Sequence, residues 1–406
     1  MKVLHLIETF GRGGTEQALV NLVPSLMAAG VDVEICALSA PYTLADELER
    51  RGIVVHRLDI PHRWDLAHAI PRVAALLRQN YDILHAQSFF PALYIALARP
   101  KATSRRVITF HSLDYDSYPA TTPWHRLRKR LDGALMSHAM DVRLAVSPAV
   151  AMHYREHLGL RTVEVVYNAI EVGRSDSDVA ASDRESTLRP FGIQTDDELL
   201  LVPGRYVHEK GHRFFVEAFR LLMAQHPRLK ALLVGEGPLK AQIEELVRAQ
   251  CLDARILVRG AAEHSDLLRL MSAADVIVVP STHEGFGLAA AEGMALGKAV
   301  VATSVGGIPM LIESEESGIL VPPADSTALA AAIDRLLRDA RLRARLGKRG
   351  RERVEERFTP PAIAAELKAV YVRALGCGRT RSDRAGSTPS SLRAEDYHSR
   401  SEPPRS

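Results

Sequence analysis

Residues 275–295 read DVIVVPSTHEGFGLAAAEGMA. After Asp275 comes an unbroken apolar, β-branched run, 276–279, that stops at Pro280. A run without alternation is a strand buried on both faces, as in a parallel sheet. A polar turn follows, with Gly285 and Gly287 on either side of Phe286, and then a small apolar segment of helical character. Strand, tight turn and helix in that order make half of a βαβ unit. Glu284 and Glu292 stand eight positions apart around this segment. A helix starting near Gly287 puts Glu284 on its lip and Glu292 about two turns in, at ~3.6 residues per turn.

The same alternation runs outward in both directions. Strand-like runs fall at 3–7, 31–38, 53–58, 82–86, 106–110 and 142–146, with helical patterns such as 15–29 and 64–79 between them. The pattern restarts at 198–203, 230–234, 255–258, 275–280 and 299–303. Residues 171–190 (EVGRSDSDVAASDRESTLRP) are polar and read as a linker. The expected architecture is α/β, with two Rossmann-like, doubly wound parallel-sheet domains facing across a cleft. The first spans 1–170 and the second 171–360. A helix at 361–375 packs on either domain, with a crossing back to the first in view. Residues 376–406, rich in Arg, Ser and Pro, are expected to be disordered. Ligands of such sheets bind beyond the carboxyl ends of the strands.

Composition narrows the partners. The 406 residues carry a net charge of only +3, which gives no case for nucleic acid. Cys36, Cys251 and Cys377 are too few and scattered for a disulfide scaffold or metal cage, and fit a reducing compartment. The N-terminal MKVLHLIETFGRGG lacks signal-peptide form, and no window is apolar enough for a transmembrane helix. A cytoplasmic protein is expected, peripheral at most on the inner face of a membrane.

Four stretches carry chemistry. GRGGTEQ (11–17) follows the first strand: Gly13 and Gly14 allow close backbone approach, Thr15 can cap the helix, and its bare amides attract an anion. As a dinucleotide fingerprint it fails, because Glu16 stands where the third glycine belongs. In GRYVHEKG (204–211), Arg205 and Lys210 bracket a loop at a strand end, where two cations can hold a diphosphate. In the opening stretch, the amides of Phe286, Gly287 and Leu288 point outward at a helix start. Glu284 can accept from sugar hydroxyls and Glu292 from a ribose diol. In ITFHSLDYD (108–116), His111 follows a strand, on the rim facing the cleft, although a lone histidine is more often structural. Asp114 and Asp116 form a D-x-D that is discounted, since short acidic pairs are common, as at Asp176 and Asp178. No cluster has metal-ligand spacing.

Together these stretches resemble the retaining glycosyltransferases of family four, which have the GT-B architecture, over residues 1 to about 375. GGTE resembles their glycine-rich acceptor-side loop. VVYNAI (165–170) resembles the segment opening their second domain, with Tyr167 where Pro is usual and Ala169 where Gly is usual. GRYVHEKG resembles the G-R-x-x-x-x-K-G diphosphate loop, GEGP (235–238) a further glycine turn, and EGFGLAAAE the E-x7-E motif. Gln87, in DILHAQ, stands where many relatives show His.

The resemblance implies an EC 2.4 hexosyltransferase-type enzyme acting in polysaccharide or glycolipid biosynthesis. It needs no cofactor and uses a UDP- or GDP-linked sugar donor with a glycan or lipid-linked acceptor. It assigns catalysis to His111, Arg205, Lys210 and Glu284. It assigns donor contacts to Gly13, Gly14, Arg205, Lys210, Glu284, Phe286, Gly287, Leu288 and Glu292, and implies that the base meets backbone near 260–262. The rivals are a nucleotide-sugar epimerase of like architecture and a non-catalytic sugar-nucleotide binding protein.

One stretch stands apart. PWHRLRKRL (123–131) places Trp124, Leu127 and Leu131 on one helix face, flanked by Arg126, Arg128, Lys129 and Arg130. That is the make-up of a segment lying on an anionic membrane. The plainer expectation is a helix whose apolar face meets the core and whose basic side meets water.

Overall fold

The computed structural model describes residues 1–115, 123–172 and 183–376. The apolar runs form two separate sheets. The first holds β1 (Lys2–Ile7), β2 (Asp32–Ala37), β3 (Val54–Arg57), β4 (Ile83–Ala86), β5 (Arg105–Phe110), β6 (Val142–Ala145) and β7 (Glu164–Val165). Their order is β3-β2-β1-β4-β5-β6-β7, and every pairing is parallel. The second holds β8 (Glu198–Pro203), β9 (Leu229–Val234), β10 (Ile256–Arg259), β11 (Val276–Val279), β12 (Ala299–Thr303) and β13 (Ile319–Val321). Their order is β10-β9-β8-β11-β12-β13, again all parallel. Both are Rossmann-like sheets with helices between strands. β4 and β11 are buried along their whole length, as continuous apolar runs require.

In each sheet the winding direction reverses between the first and fourth strands, at β1/β4 and at β8/β11. The crevice at such a switch point, beyond the strand ends, is where doubly wound sheets bind ligands. The loops that open there are 8–13, 87–88, 204–211 and 280–287, which contain most of the residues singled out from the sequence.

Two strands lay outside the sequence reading. β7 and β13 have two and three residues, too short to show a hydropathic period. One expectation is corrected: the first helix runs Gly14–Ala28, so Thr15 lies inside it and Gly13 holds the cap position without a side-chain bond. The helix expected at 64–79 runs Leu66–Leu76, and Asp65 caps it by accepting from His68 N–H.

Helix Pro360–Gly376 leaves the second half and lies on helix Gly14–Ala28 of the first. Ile363, Ala364, Leu367 and Val370 share a core with Leu19, Val23 and Leu26. Arg373 pairs with Glu164 at 2.7 Å, and Ile170 N–H donates to Phe358 O at 2.8 Å. Most of the linker, with Asp176 and Asp178, lies outside the described residues, as do Asp116, Cys377 and the tail after Gly376.

Candidate active site

The second sheet builds most of the site from backbone. The loop after β8 ends in a short turn, His208–Lys210, and then Gly211 at φ 64°. A Cβ on Gly211 would stand 1.9 Å from Pro280 O, so only glycine lets this loop lie against the end of β11. Thr282 N–H donates to Glu209 O at 2.7 Å and fastens the two loops side by side. Tyr206 N–H donates to Glu236 O at 2.8 Å, which brings the GEGP turn in behind.

This pairing sets the charges. Lys210 Nζ stands 2.6 Å from Glu284 Oε2, both partly buried. Arg205, on the same loop, is exposed and pairs with no carboxylate among the described residues. Gly287 caps helix Leu288–Ala295 at φ 99°, and Ala291 N–H donates to Gly287 O at 3.0 Å. The amides of Phe286, Gly287 and Leu288 find no acceptor among the described residues. They leave a bare, positive helix end beside Lys210 and Glu284.

The helix starts at Leu288, so Glu292 lies little more than one turn in, not two. Burial pushes its carboxyl above the usual range, and the nearby His264 opposes that. The two side chains are 3.9 Å apart.

The E-x7-E loop also touches the first half. A Cβ on Gly285 would fall 2.0 Å from His111 O. Ser147 Oγ donates to Gly285 O at 2.7 Å. Phe286 turns its ring inward, 6.4 Å from Tyr167 and 5.9 Å from Phe358. Tyr167 thus fills the junction of the halves with aromatic surface, and each such pair contributes about 0.5–1.5 kcal/mol beyond its area. The Phe286 side chain is core; only its backbone faces the site.

His111 is partly buried at the end of β5, and its Nε2 lies 2.9 Å from Gln87 Oε1. Burial pushes the imidazole down to about 4, so it is neutral at pH 7. Gly13 and Gly14 stand opposite, where a Cβ on Gly14 would reach within 3.1 Å of Leu288. The anion position at that helix start is already taken. The Glu16 carboxylate curls back to 2.3 Å from where a Gly13 side chain would stand, and it accepts from Thr9 Oγ1 at 3.1 Å. Burial raises Glu16, while Thr9 and the charge of Arg205 oppose this. Arg12 reaches over to pair with Glu263 of the second half.

The structure therefore brings Arg205, Lys210, Glu284, the Phe286–Leu288 amides and His111 to one junction, with Glu292 further along the helix. Sequence reasoning missed Ser147, His264 and the Arg12–Glu263 pair, each of which depends on a neighbour far away in the chain, and the role of Glu16, which curls back on its own helix start. Asp114 accepts from Tyr154 OH at 3.0 Å. Among the described residues no group of three His, Cys, Asp or Glu side chains could hold a metal ion.

The basic segment lies in helix Pro123–Ala139 of the first half. The core-facing expectation fails: Trp124, Leu127 and Leu131 are 68%, 47% and 59% exposed. Arg126 and Arg130 are exposed beside them. Arg128 stands 3.6 Å from Asp132, and Lys129 lies over the Tyr115 ring. No described helix is long and apolar enough to cross a membrane.

Comparison with known proteins matches residues 12–174 to the model of Glycosyltransferase Family 4 and residues 183–353 to that of Glycosyl transferases group 1. An uncharacterized glycosyltransferase of Methanocaldococcus jannaschii is 31% identical over 52% of this chain and 53% of its own. The chain thus spans about half the length of that relative. The N-acetyl-alpha-D-glucosaminyl L-malate synthase of Bacillus anthracis is 27% identical over 76% of this chain and 79% of its own. Among solved structures, Anabaena Alr3699/HepE in complex with UDP-glucose superposes with a TM-score of 0.80 at 21% identity, covering 92% of this chain and all of that one. That likeness shows the GT-B fold.

Proposed function

The chain belongs to the glycosyltransferases, family 4 over its first half and group 1 over its second, and on that premise we propose that it moves a sugar from a nucleoside-diphosphate sugar to a hydroxyl acceptor with retention of configuration. The observation that carries this reading is the junction itself. Lys210 and Glu284, 2.6 Å apart, sit beside a bare helix start and face His111 across Gly285.

In this reading the donor diphosphate lies along Arg205, Lys210 and the Phe286–Leu288 amides. Binding transfers Lys210 from Glu284 to phosphate, and Glu284 then accepts from hydroxyls of the transferred sugar. Glu292 takes the ribose diol. The bond from the anomeric carbon to phosphate oxygen breaks as the acceptor oxygen attacks from the same face. The departing phosphate oxygen takes the acceptor's proton. Negative charge grows on the diphosphate, where fixed cations and amides stabilise it without reorganising. His111 lines the sugar.

We assign the acceptor to a glycan or lipid-linked pathway at the cell surface and the basic helix to an anionic lipid face. The support is three exposed apolar side chains between exposed arginines on one helix.

The test is incubation with UDP- and GDP-sugars, with and without lipid-linked acceptors. Nucleotide release that depends on acceptor, with the anomeric configuration kept in the product, supports the proposal. Epimerised free donor, or donor bound with no turnover under any acceptor, overturns it.

A further inference from the structure

Beneath His111 runs a chain of buried polar side chains from distant parts of the sequence. His111 Nε2 lies 2.9 Å from Gln87 Oε1, and Gln87 Nε2 lies 2.8 Å from His5 Nδ1. His5 Nε2 is 3.3 Å from the Tyr371 hydroxyl, which is 2.6 Å from His85 Nδ1. His85 Nε2 ends the chain 2.7 Å from Thr109 Oγ1. His5, His85, Gln87 and Tyr371 are all within 3% of full burial.

The chemistry of these groups gives the chain a direction. An amide oxygen only accepts and an amide nitrogen only donates. With the Gln87 amide oriented as it stands, His111 Nε2–H donates to Gln87, and Gln87 donates to the His5 Nδ1 lone pair. His5 must then carry its proton on Nε2 and donate to Tyr371, whose hydroxyl donates to His85 Nδ1. His85 in turn donates from Nε2–H to Thr109. Each ring has one proton and one acceptor, so every bond agrees with the next. Burial keeps the imidazoles neutral, with His5 pushed down to about 3 and His111 to about 4. His111 Nδ1 is buried and has no partner.

We propose that Gln87 is a positioning residue: through this chain it holds His111 as the Nε2–H tautomer, with Nδ1 unprotonated, and fixes the plane of the ring at the junction. This rests on the transferase reading for what His111 touches, but the tautomer itself does not. The C-terminal helix belongs to the device, because the Tyr371 hydroxyl accepts from His5 and so passes the direction of the chain on to His85. An apolar residue at 87 would leave His111 free to exchange tautomers and to turn.

The experiment is nitrogen-15 spectroscopy of histidine-labelled full-length protein at neutral pH, beside kinetics. In the wild type, His111 should show a protonated Nε2 and an unprotonated Nδ1, and His5 the same. Gln87→Glu supplies only acceptors, so it should leave the His111 tautomer unchanged and move the His5 proton to Nδ1. Gln87→Leu should average the His111 signals and lower kcat about ten- to a hundred-fold, the range for losing the partner that orients a ligating histidine, with donor KM little changed. Gln87→Glu should recover part of that loss. A wild-type His111 protonated on Nδ1 overturns the proposal, and needs no variant to fold. So does a Gln87→Leu enzyme with wild-type kcat. If the wild type turns over no nucleotide sugar while its tautomers are as stated, the transferase reading fails and the tautomer assignment stands.

Discussion

The crevice has two walls built by different means. Over the second sheet, the site is mostly backbone. Glycines bring loops within contact of each other's carbonyls, and the charges come from two such loops, Arg205 and Lys210 on one and Glu284 on the other. Under the first sheet, it is a relay of side chains from positions 5, 85, 87, 109, 111 and 371, none of which has meaning without the others. The backbone wall suits a ligand of fixed shape and charge, such as a diphosphate. The relay suits a hydroxyl, whose recognition depends on which atom holds a proton.

The sharpest break in this contrast is at the backbone wall. Lys210→Ala and Arg205→Ala should each lower turnover about 10²–10³-fold, the cost of one transition-state donor, with the fold intact by circular dichroism. Lys210→Arg should also be impaired, since a planar fork does not replace a point charge. Near-normal turnover in any of these would remove the charges from the mechanism. Next comes Gly285→Ala. Its new Cβ would stand 2.0 Å from His111 O, so the two walls must move apart. A misplacement of about 1 Å costs about 10²-fold in rate. Steady-state kinetics that match the wild type would show that the walls do not act together.

The relay should declare itself through pH. His111 is pushed by burial from 6.5 down to about 4. The unfolded chain therefore takes up a proton that the folded chain refuses. The stability this gives is complete above about 6.5 and is lost as pH falls toward 4. From pH 7 to 5, the loss for this residue is roughly 1–2 kcal/mol. Glu16 and Glu292 are raised by burial and act in the opposite sense. The measurement is therefore a difference: denaturant unfolding of wild type and His111→Asn at both pH values. The wild type should lose more, and parallel curves would contradict the buried neutral ring.

The smallest effect concerns helix Pro123–Ala139. Each basic residue near an anionic surface is worth about 1 kcal/mol. Wild-type protein should sediment with anionic vesicles at low salt and not with neutral ones. Charge reversal at Arg126 and Arg130 should abolish this and leave nucleotide affinity unchanged. Equal sedimentation with both lipids, or with neither, would count against the lipid face.

The contrast also explains what was legible in the sequence. The parallel sheets were, because β8 and β11 are unbroken apolar runs. The backbone wall was too, because Glu284 and Glu292 share one turn and helix, and Arg205 and Lys210 share one loop. β7 and β13 were not, being too short to show a period. Neither was the capture of Lys210 by Glu284, which requires two loops to be fastened through Thr282 and Gly211. Glu16 was read as a failed fingerprint position, yet it occupies the helix start where an anion was expected. Gln87 was noticed only as a departure from relatives. Its partner His5 and the next group in the relay, Tyr371, lie at opposite ends of the chain, and the topology alone brings them together.

The central claim is that the loops after β8 and β11 form a nucleoside-diphosphate site. Calorimetric titration of UDP and GDP into the wild type and into Arg205→Ala/Lys210→Ala tests it most directly. One of the two nucleotides should bind the wild type at a single site. The double variant should bind it at least about a hundred-fold more weakly, since a charge-assisted hydrogen bond contributes about 1.5–3 kcal/mol. Equal affinity in both proteins, or no binding of either nucleotide to the wild type, would contradict it.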